Sequence, residues 1–343
     1  MFKTIVSRDL NVNELTDQEL NALTDEVLSE LYEKNKFRLL AMSNRMKFIR
    51  KQLSNTIRQM MWAITNQSRR SRMAPQMSEV LFGRIAGKQG VPGLTFPLNN
   101  GGKLHVRGKI DRLDAVEIDD ELYISVVDYK SGDKKLVFEE IYHGLMMQLL
   151  TYLDTAVEHS EELFGRKAKP AGAFYAQVKN PLLDARSVKG KDWLDEMLKQ
   201  FKMKGLLLNE EDLLRNIDRM LDPDEKGSSL VYPLEKLKSG KLKGSFITLE
   251  DLELLLRHHR TKIREAGNLI LSGENQLAPF YEKKRFTPTT VGGEYHPVSQ
   301  FDVLLPGNQN YYRNLPKISD QDELIDKLKE KYQIIEPKKE GDQ

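Results

Sequence analysis

The sequence contains no cysteine, which excludes disulfides, thiolate zinc sites and thiolate-held iron–sulfur clusters within it. It lacks any apolar run near the roughly 18–20 residues that a bilayer-spanning helix needs. The N-terminus, Met1-Phe2-Lys3-Thr4-Ile5-Val6, has neither an apolar h-region nor a small-residue cleavage site, so no signal peptide is expected. No Gly-x-x-x-x-Gly-Lys-[Ser/Thr] phosphate loop occurs, which leaves no evident ATP site. There is no internal repeat, and the overall charge of +2 favours no class of partner. With 39% hydrophobic and 30% charged residues, the composition is that of a soluble globular protein, and the cytoplasm is the default compartment.

The charge is unevenly spread. The first 33 residues are acidic, and then no Asp or Glu occurs between Lys34 and Arg72 while Lys and Arg recur. A one-signed stretch can follow a phosphate backbone, or it can be a solvated helix face or a contact with an acidic partner.

Thr16-Asp17-Gln18-Glu19 reads as a capping box ahead of the periodic run Leu20, Leu23, Val27, Leu28 and Leu31. A second helical stretch follows, from Phe37 to Ile64, and a boundary is expected near residue 74. Pro75 suits the first position of a short helix over 76–86. Strand-like runs then occupy 94–98, 103–118 and 121–130, followed by a helix over 138–158 and a buried strand over 171–178. Beyond residue 190 the pattern is mostly helical, at 190–201, 209–221 and 248–272, with a last helical pattern over Asp320–Tyr332. Strands interleaved with helices imply an α/β fold, a mixed sheet with helices on its faces.

The chemistry concentrates on one expected hairpin. Asp119-Asp120 is the natural two-residue turn, and it sets Asp111 opposite Asp128. Lys130, two residues from Asp128, shares its face. Opposed carboxylates, with Cβ atoms about 4.5–5.5 Å apart, repel unless something positive lies between them. A hard divalent cation with oxygen ligands satisfies them, and hydrolysis of a phosphodiester is the reaction that such a centre suits. Asp-x-Lys before Ser131-Gly132 is equally a good turn, and a bulge would undo the register.

At these residues the sequence resembles a known family. Gly108-Lys109-Ile110-Asp111-Arg112-Leu113-Asp114, Val127-Asp128-Tyr129-Lys130-Ser131-Gly132 and Gln148-Leu149-Leu150-Thr151-Tyr152-Leu153 are similar to the nuclease domain of the AddB/RexB subunit of bacterial ATP-dependent helicase–nucleases. That domain is of the PD-(D/E)xK, RecB-type superfamily. Phe174-Tyr175 with Asn180-Pro181, Phe201–Leu206, and Gln300-Phe301-Asp302 with Tyr312-Arg313 extend the likeness over roughly residues 40–315.

The resemblance implies a restriction-endonuclease-like mixed sheet flanked by helices, with an N-terminal helical arm and a mostly helical C-terminal part. Its expected divisions are 1–74 (arm), 75–315 (nuclease domain) and 316–343 (charged tail). Asp111, Asp128 and Glu79 are then the expected metal ligands, Glu79 on a helix upstream. Lys130 is the expected catalytic lysine, and Gln148 and Tyr152 position it and the DNA strand. The expected cofactor is Mg²⁺, with Mn²⁺ as a substitute. The implied activity is that of an exodeoxyribonuclease on one strand, the 5′-terminated one, in recombinational repair of double-strand breaks. The implied partners are DNA and an AddA/RexA-type subunit that supplies the motor.

Many family members hold an iron–sulfur cluster through cysteines. The matching stretch here, Gly292-Gly293-Glu294-Tyr295-His296-Pro297-Val298-Ser299, has none, as in a RexB-like branch without the cluster. His296 reads as a turn or surface histidine. The family subunit is also far longer, so the sequence looks like its C-terminal portion. The alternatives are a non-catalytic DNA-binding or scaffold fragment that no longer assembles with its motor, and a stand-alone nuclease of the same superfamily.

Overall fold

The computed structural model describes residues 4–5, 8, 10, 13–184, 186, 188–190, 192–219, 221, 227–239, 242–282, 285–286, 296–302, 304–305 and 312–333. The chain divides into two compact units. One comprises Met1–Leu94, Val106–Lys135 and Leu149–Leu249, the other Thr95–His105, Leu136–Gln148 and Glu250–Gln343.

The first unit is built on a six-stranded sheet of β1 (Ala74–Phe82), β2 (Gly108–Ile118), β3 (Glu121–Lys130), β4 (Ala168–Gln177), β5 (Lys204–Leu208) and β6 (Phe246–Ile247). Their spatial order is their chain order. The pairings β1/β2, β2/β3 and β4/β5 are antiparallel, while β3/β4 and β5/β6 are parallel. The expected mixed α/β sheet is therefore observed. Its centre is dry: Ile124, Val126 and Val127 of β3 and Ala171 and Phe174 of β4 are fully buried. Adjacent residues point to opposite faces, so Val126 and Val127 buried together mean that both faces are covered.

The hairpin register is as the sequence implies. Ile118 pairs with Glu121, and the ladder runs without a bulge to Arg112 and Val127. Asp119 (φ 49°) and Asp120 (φ 63°) are both left-handed, the backbone of a type I′ turn whose twist matches that of the strands. Acidic residues tolerate this conformation better than most.

Two helices precede the sheet, α1 (Asp17–Glu33) and α2 (Asn44–Arg70). The capping box at Thr16 is present, with Glu19 N–H donating to Thr16 Oγ1 at 3.3 Å and Thr16 N–H donating to Glu19 Oε2 at 2.8 Å. Leu20 and Leu23 of α1 pack with Met61 of α2. Ala63 of α2 joins Met197, Leu198, Phe201 and Leu230 in another cluster, so the arm shares core with later parts of this unit.

Three local readings are corrected. Residues 74–82 form a strand rather than the expected helix over 76–86: they pair with β2, and Glu79 at φ 53° lies outside helical space. Pro75 is tolerated because β1 is an edge strand, where its missing N–H leaves no rung unmade. The expected helix over 138–158 is broken by Gly144 at φ 75° into Phe138–Tyr142 and α3 (Gln148–Glu158). Beyond residue 190, α4 (Trp193–Gln200) and α5 (Leu249–Leu271) are as expected, but β5, β6 and a small sheet (Gly227–Ser228, Leu234–Lys236, Leu242–Gly244) are additional. Strands of two to five residues are too short to show a period.

In the second unit, Thr95–Pro97 pairs with Lys103–His105 in a hairpin. α5 carries the fully buried His258, stacked on Tyr142 at 5.3 Å between ring centroids. Its Nε2 lies 2.8 Å from the Tyr142 carbonyl and its Nδ1 3.0 Å from the Tyr332 hydroxyl. A carbonyl only accepts, so Nε2 carries the proton and Nδ1 accepts from Tyr332. Tyr332 caps α6 (Gln321–Lys331), the helical pattern expected in the tail. Gly292–Tyr295, where relatives of this kind carry cysteines, lie outside the described residues, and His296 opens the short helix His296–Ser299. Among the described residues no helix is long and apolar enough to cross a membrane.

Candidate active site

One rung past Arg112 and Val127, the next residues of β2 and β3 are Asp111 and Asp128. Here the backbone ladder gives way to side chains: Tyr129 N–H donates to Asp111 Oδ2 at 3.1 Å. The Asp111 carboxylate is thereby aimed across the hairpin, towards the end of β3. Asp128 is 2% exposed. Its Oδ2 lies 2.6 Å from Lys130 Nζ, yet off the directions of a hydrogen bond, so no donor is aligned with this buried oxygen. Burial pushes the Asp128 carboxyl above its ordinary range; the Lys130 ammonium pulls it back, and the adjacent Asp111 raises it further. Lys130 keeps its side chain partly exposed, with its Nζ 5.9 Å from the ring centre of Tyr175, the residue beside Asp128 on β4.

These residues fit a hard divalent cation. Two carboxylates meet at the end of a central strand pair, and one contributes a buried oxygen with no aligned donor. The charge that burial opposes is the charge a cation would stabilise. Among the described residues no group of three or more His, Asp or Glu side chains comes together. The expected third ligand, Glu79, stands on β1 between the register pairs Ser78–Arg112 and Val80–Ile110, level with Asp111. Its carboxylate is held by Lys109 Nζ at 2.8 Å, a bond that raises the lysine pKa. Glu79 is therefore on a strand, not a helix, and engaged with a lysine.

Gln148 opens α3 and Tyr152 follows one turn later on the same side of the helix. Tyr152 is buried, its ring meeting Phe82 edge-on at 6.0 Å. Phe82 in turn lies over Gly108, where an added Cβ would sit 2.4 Å from the ring's far carbon. A glycine at the start of β2 is thus what lets Phe82 support Tyr152.

Sequence reasoning missed what lies on the reverse face. Arg112 and Asp114, both buried, form a bidentate pair at 2.7 and 2.6 Å, and Arg112 also donates to the Tyr129 hydroxyl at 3.0 Å. Burial acts to lower the Arg112 pKa, but Asp114 and Tyr129 outweigh it and the guanidinium is held charged. Opposite charges two residues apart in an otherwise apolar strand are the signal that could have found this pair. Tyr129 therefore ties the two faces together: its ring hydroxyl belongs to the buried pair and its backbone N–H to Asp111.

A strand pair ending in two acids and a lysine on a mixed sheet is set beside known proteins by one comparison of families. The model of the PD-(D/E)XK nuclease superfamily matches residues 2–279. The chain belongs to that superfamily. Its relatives narrow the kinship. A protein of Enterococcus faecalis, named as one subunit of an ATP-dependent helicase/deoxyribonuclease, is 43% identical over 343 residues, covering 96% of this chain and 28% of the relative. Proteins of the same name from Latilactobacillus sakei and Lactiplantibacillus plantarum are 36% and 37% identical, each with 96% of this chain and 28% of the relative covered. This PD-(D/E)XK chain thus spans a little over a quarter of the curated relatives that it matches.

Proposed function

We propose that the chain is a metal-dependent deoxyribonuclease module that hydrolyses phosphodiesters of one DNA strand. The observation that carries the reading is the convergence of Asp111, Asp128 and Lys130 at the end of the β2–β3 hairpin, with Lys130 Nζ 2.6 Å from Asp128 Oδ2. Asp111 and Asp128 would hold Mg²⁺, or Mn²⁺ in its place. Bound there, such a cation would activate a water for attack and neutralise charge on the phosphate. Glu79 would add a third oxygen once released from Lys109.

The residues of the chain supply the rest. Tyr129 N–H fixes the Asp111 carboxylate in place, so one ligand is oriented before any substrate arrives. With a cation on the carboxylates, Lys130 is freed to face the scissile phosphate. There its ammonium stabilises the charge that develops as the bond to the leaving oxygen breaks. Gln148 and Tyr152 would position that lysine and the strand. The relatives' name supports a wider role, with DNA processed together with a helicase-bearing AddA/RexA-type subunit in recombinational break repair in the cytoplasm, and with the 5′-terminated strand as the substrate.

The test is incubation of the purified chain with labelled single-stranded DNA and Mg²⁺ or Mn²⁺. Cleavage should appear with metal, vanish with EDTA and be absent from Asp111→Ala. DNA binding without cleavage under either metal would favour a scaffold role instead.

A further inference from the structure

The chain has two tryptophans, and they meet. Trp62 of α2 and Trp193 of α4 lie 6.3 Å apart between ring centroids, tilted by 50°, beside a cleft of about 360 Å³ in the first unit. Trp62 is largely packed, joining the clusters around Met61 and Ala63. Trp193 is 50% exposed, so one indole face is offered to whatever enters. The cleft is lined by amides, Asn55 and Gln59 from α2 and Asn180 from the segment after β4. Arg58 also lines it, but its guanidinium is already held by Asp25 at 2.7 Å and by Asn55 at 3.0 Å, and Asp17 lines it with a carboxylate. These groups do not make a phosphate cradle. They make a flat aromatic platform ringed by groups that donate and accept hydrogen bonds, which suits the edge of a nucleobase.

Its distance from the reacting centre is bounded by the chain itself. Lys130 is paired with Gln177 across β3 and β4, and Val178 N–H donates to the Lys130 carbonyl at 2.8 Å. Asn180 is three residues past Gln177, which a polypeptide spans in no more than about 11 Å. The cleft therefore opens within a few nucleotides of Lys130. The helix that supplies Asn55, Gln59 and Trp62 carries no acidic residue, so its charge favours a polyanion running alongside.

We propose that this cleft is a subsite for single-stranded DNA, in which an unpaired base stacks on Trp193 while the backbone continues to the Asp111–Asp128–Lys130 centre. The proposal rests on the nuclease reading for the direction of the strand, but the binding step does not need catalysis. A duplex base has both faces occupied by its neighbours, so the platform selects unpaired strands without reading sequence.

The experiment is titration of the whole chain with fluorescein-labelled oligo(dT) in EDTA, followed by anisotropy and by tryptophan fluorescence. Quenching on binding is expected. Trp193→Ala should bind about five- to hundredfold more weakly, and Trp193→Phe should recover most of the loss. With Mg²⁺, Trp193→Ala should raise KM by a similar factor and change kcat little. Circular dichroism controls for folding, and Gln59→Leu, at the rim of the same cleft, should weaken binding in the same direction. Active cleavage with an unchanged KM in Trp193→Ala would overturn the subsite and leave the nuclease reading standing. Quenched binding that depends on Trp193, without cleavage under either metal, would uphold the subsite and sink the nuclease reading.

Discussion

The backbone N–H of Tyr129 donates to Asp111 Oδ2 at 3.1 Å, so a main-chain group of one strand holds the acidic side chain of the other. The two carboxylates of the proposed centre thus differ: Asp111 is oriented by a donor, whereas Asp128 is buried beside an ammonium that it does not fully engage. If they share a cation, binding will show in stability. Mg²⁺ or Mn²⁺ should raise the melting temperature of the wild-type chain, by about 2.7 kcal/mol at a hundredfold excess over Kd. Asp111→Ala and Asp128→Ala should lose both this shift and cleavage. An undiminished shift in both variants would place the metal elsewhere.

Lys130→Met separates binding from chemistry. It leaves the carboxylates in place, so the metal-induced shift should persist while kcat falls by about 10²–10³-fold. Loss of the shift together with activity would instead make Lys130 part of the metal site's framework.

The Arg112–Asp114 pair predicts a stability cycle. Arg112→Met leaves a buried carboxylate unpaired and should cost about 3–5 kcal/mol in urea unfolding. Arg112→Met with Asp114→Leu removes both charges and should recover most of that loss. The double variant should still cleave more slowly than wild type, because Tyr129 has lost the donor that fixes its ring.

Gly108→Ala would press a methyl group into the Phe82 ring, at an approach of 2.4 Å. The expected cost is about 1–3 kcal/mol, read as a lower melting temperature, with a drop in activity through Tyr152. Phe82→Leu in the same chain should restore much of the stability, which distinguishes this clash from a general dislike of alanine in β2.

His258 predicts a pH response in the second unit. Burial holds its pKa down, from 6.5 to about 4, and its Nδ1 is needed as an acceptor for Tyr332. Below pH 6.5 the unfolded chain takes up a proton that the folded histidine refuses until about pH 4. Stability should therefore fall as the pH drops through that window, by about 3 kcal/mol at the limit, and be unaffected by this group above it. Urea unfolding at pH 7 and pH 4.5 measures the difference, and His258→Gln should flatten it.

The hairpin was legible because a two-residue turn and an alternating pattern leave little freedom: Asp119-Asp120 settles the partner of every residue out to Val127. The sheet's central strands were legible from apolar runs long enough to show themselves. β1 was not, because Pro75 and Glu79 carry helix-start chemistry and only pairing with β2 overrides it. Nor was the break at Gly144, since a glycine inside a periodic run is often tolerated. At the centre, sequence brought Asp111, Asp128 and Lys130 together but could not foresee that Lys109 would engage Glu79. The Tyr129 link was hidden because it joins a backbone group to a side chain, and composition carries no trace of that.

The turn at Asp119-Asp120 also has a leverage that its exposed position conceals. Side chains in a strand alternate with a period of two, so one inserted residue there shifts the pairing by one step. Asp128 sits eight residues along β3 from Asp120, about 26 Å away. An insertion at the far tip would thus leave every acid and lysine of the centre in the sequence yet set them out of phase across the hairpin. The loop acts as the gear that meshes two strands, and slipping it by one tooth disengages the machine from a distance.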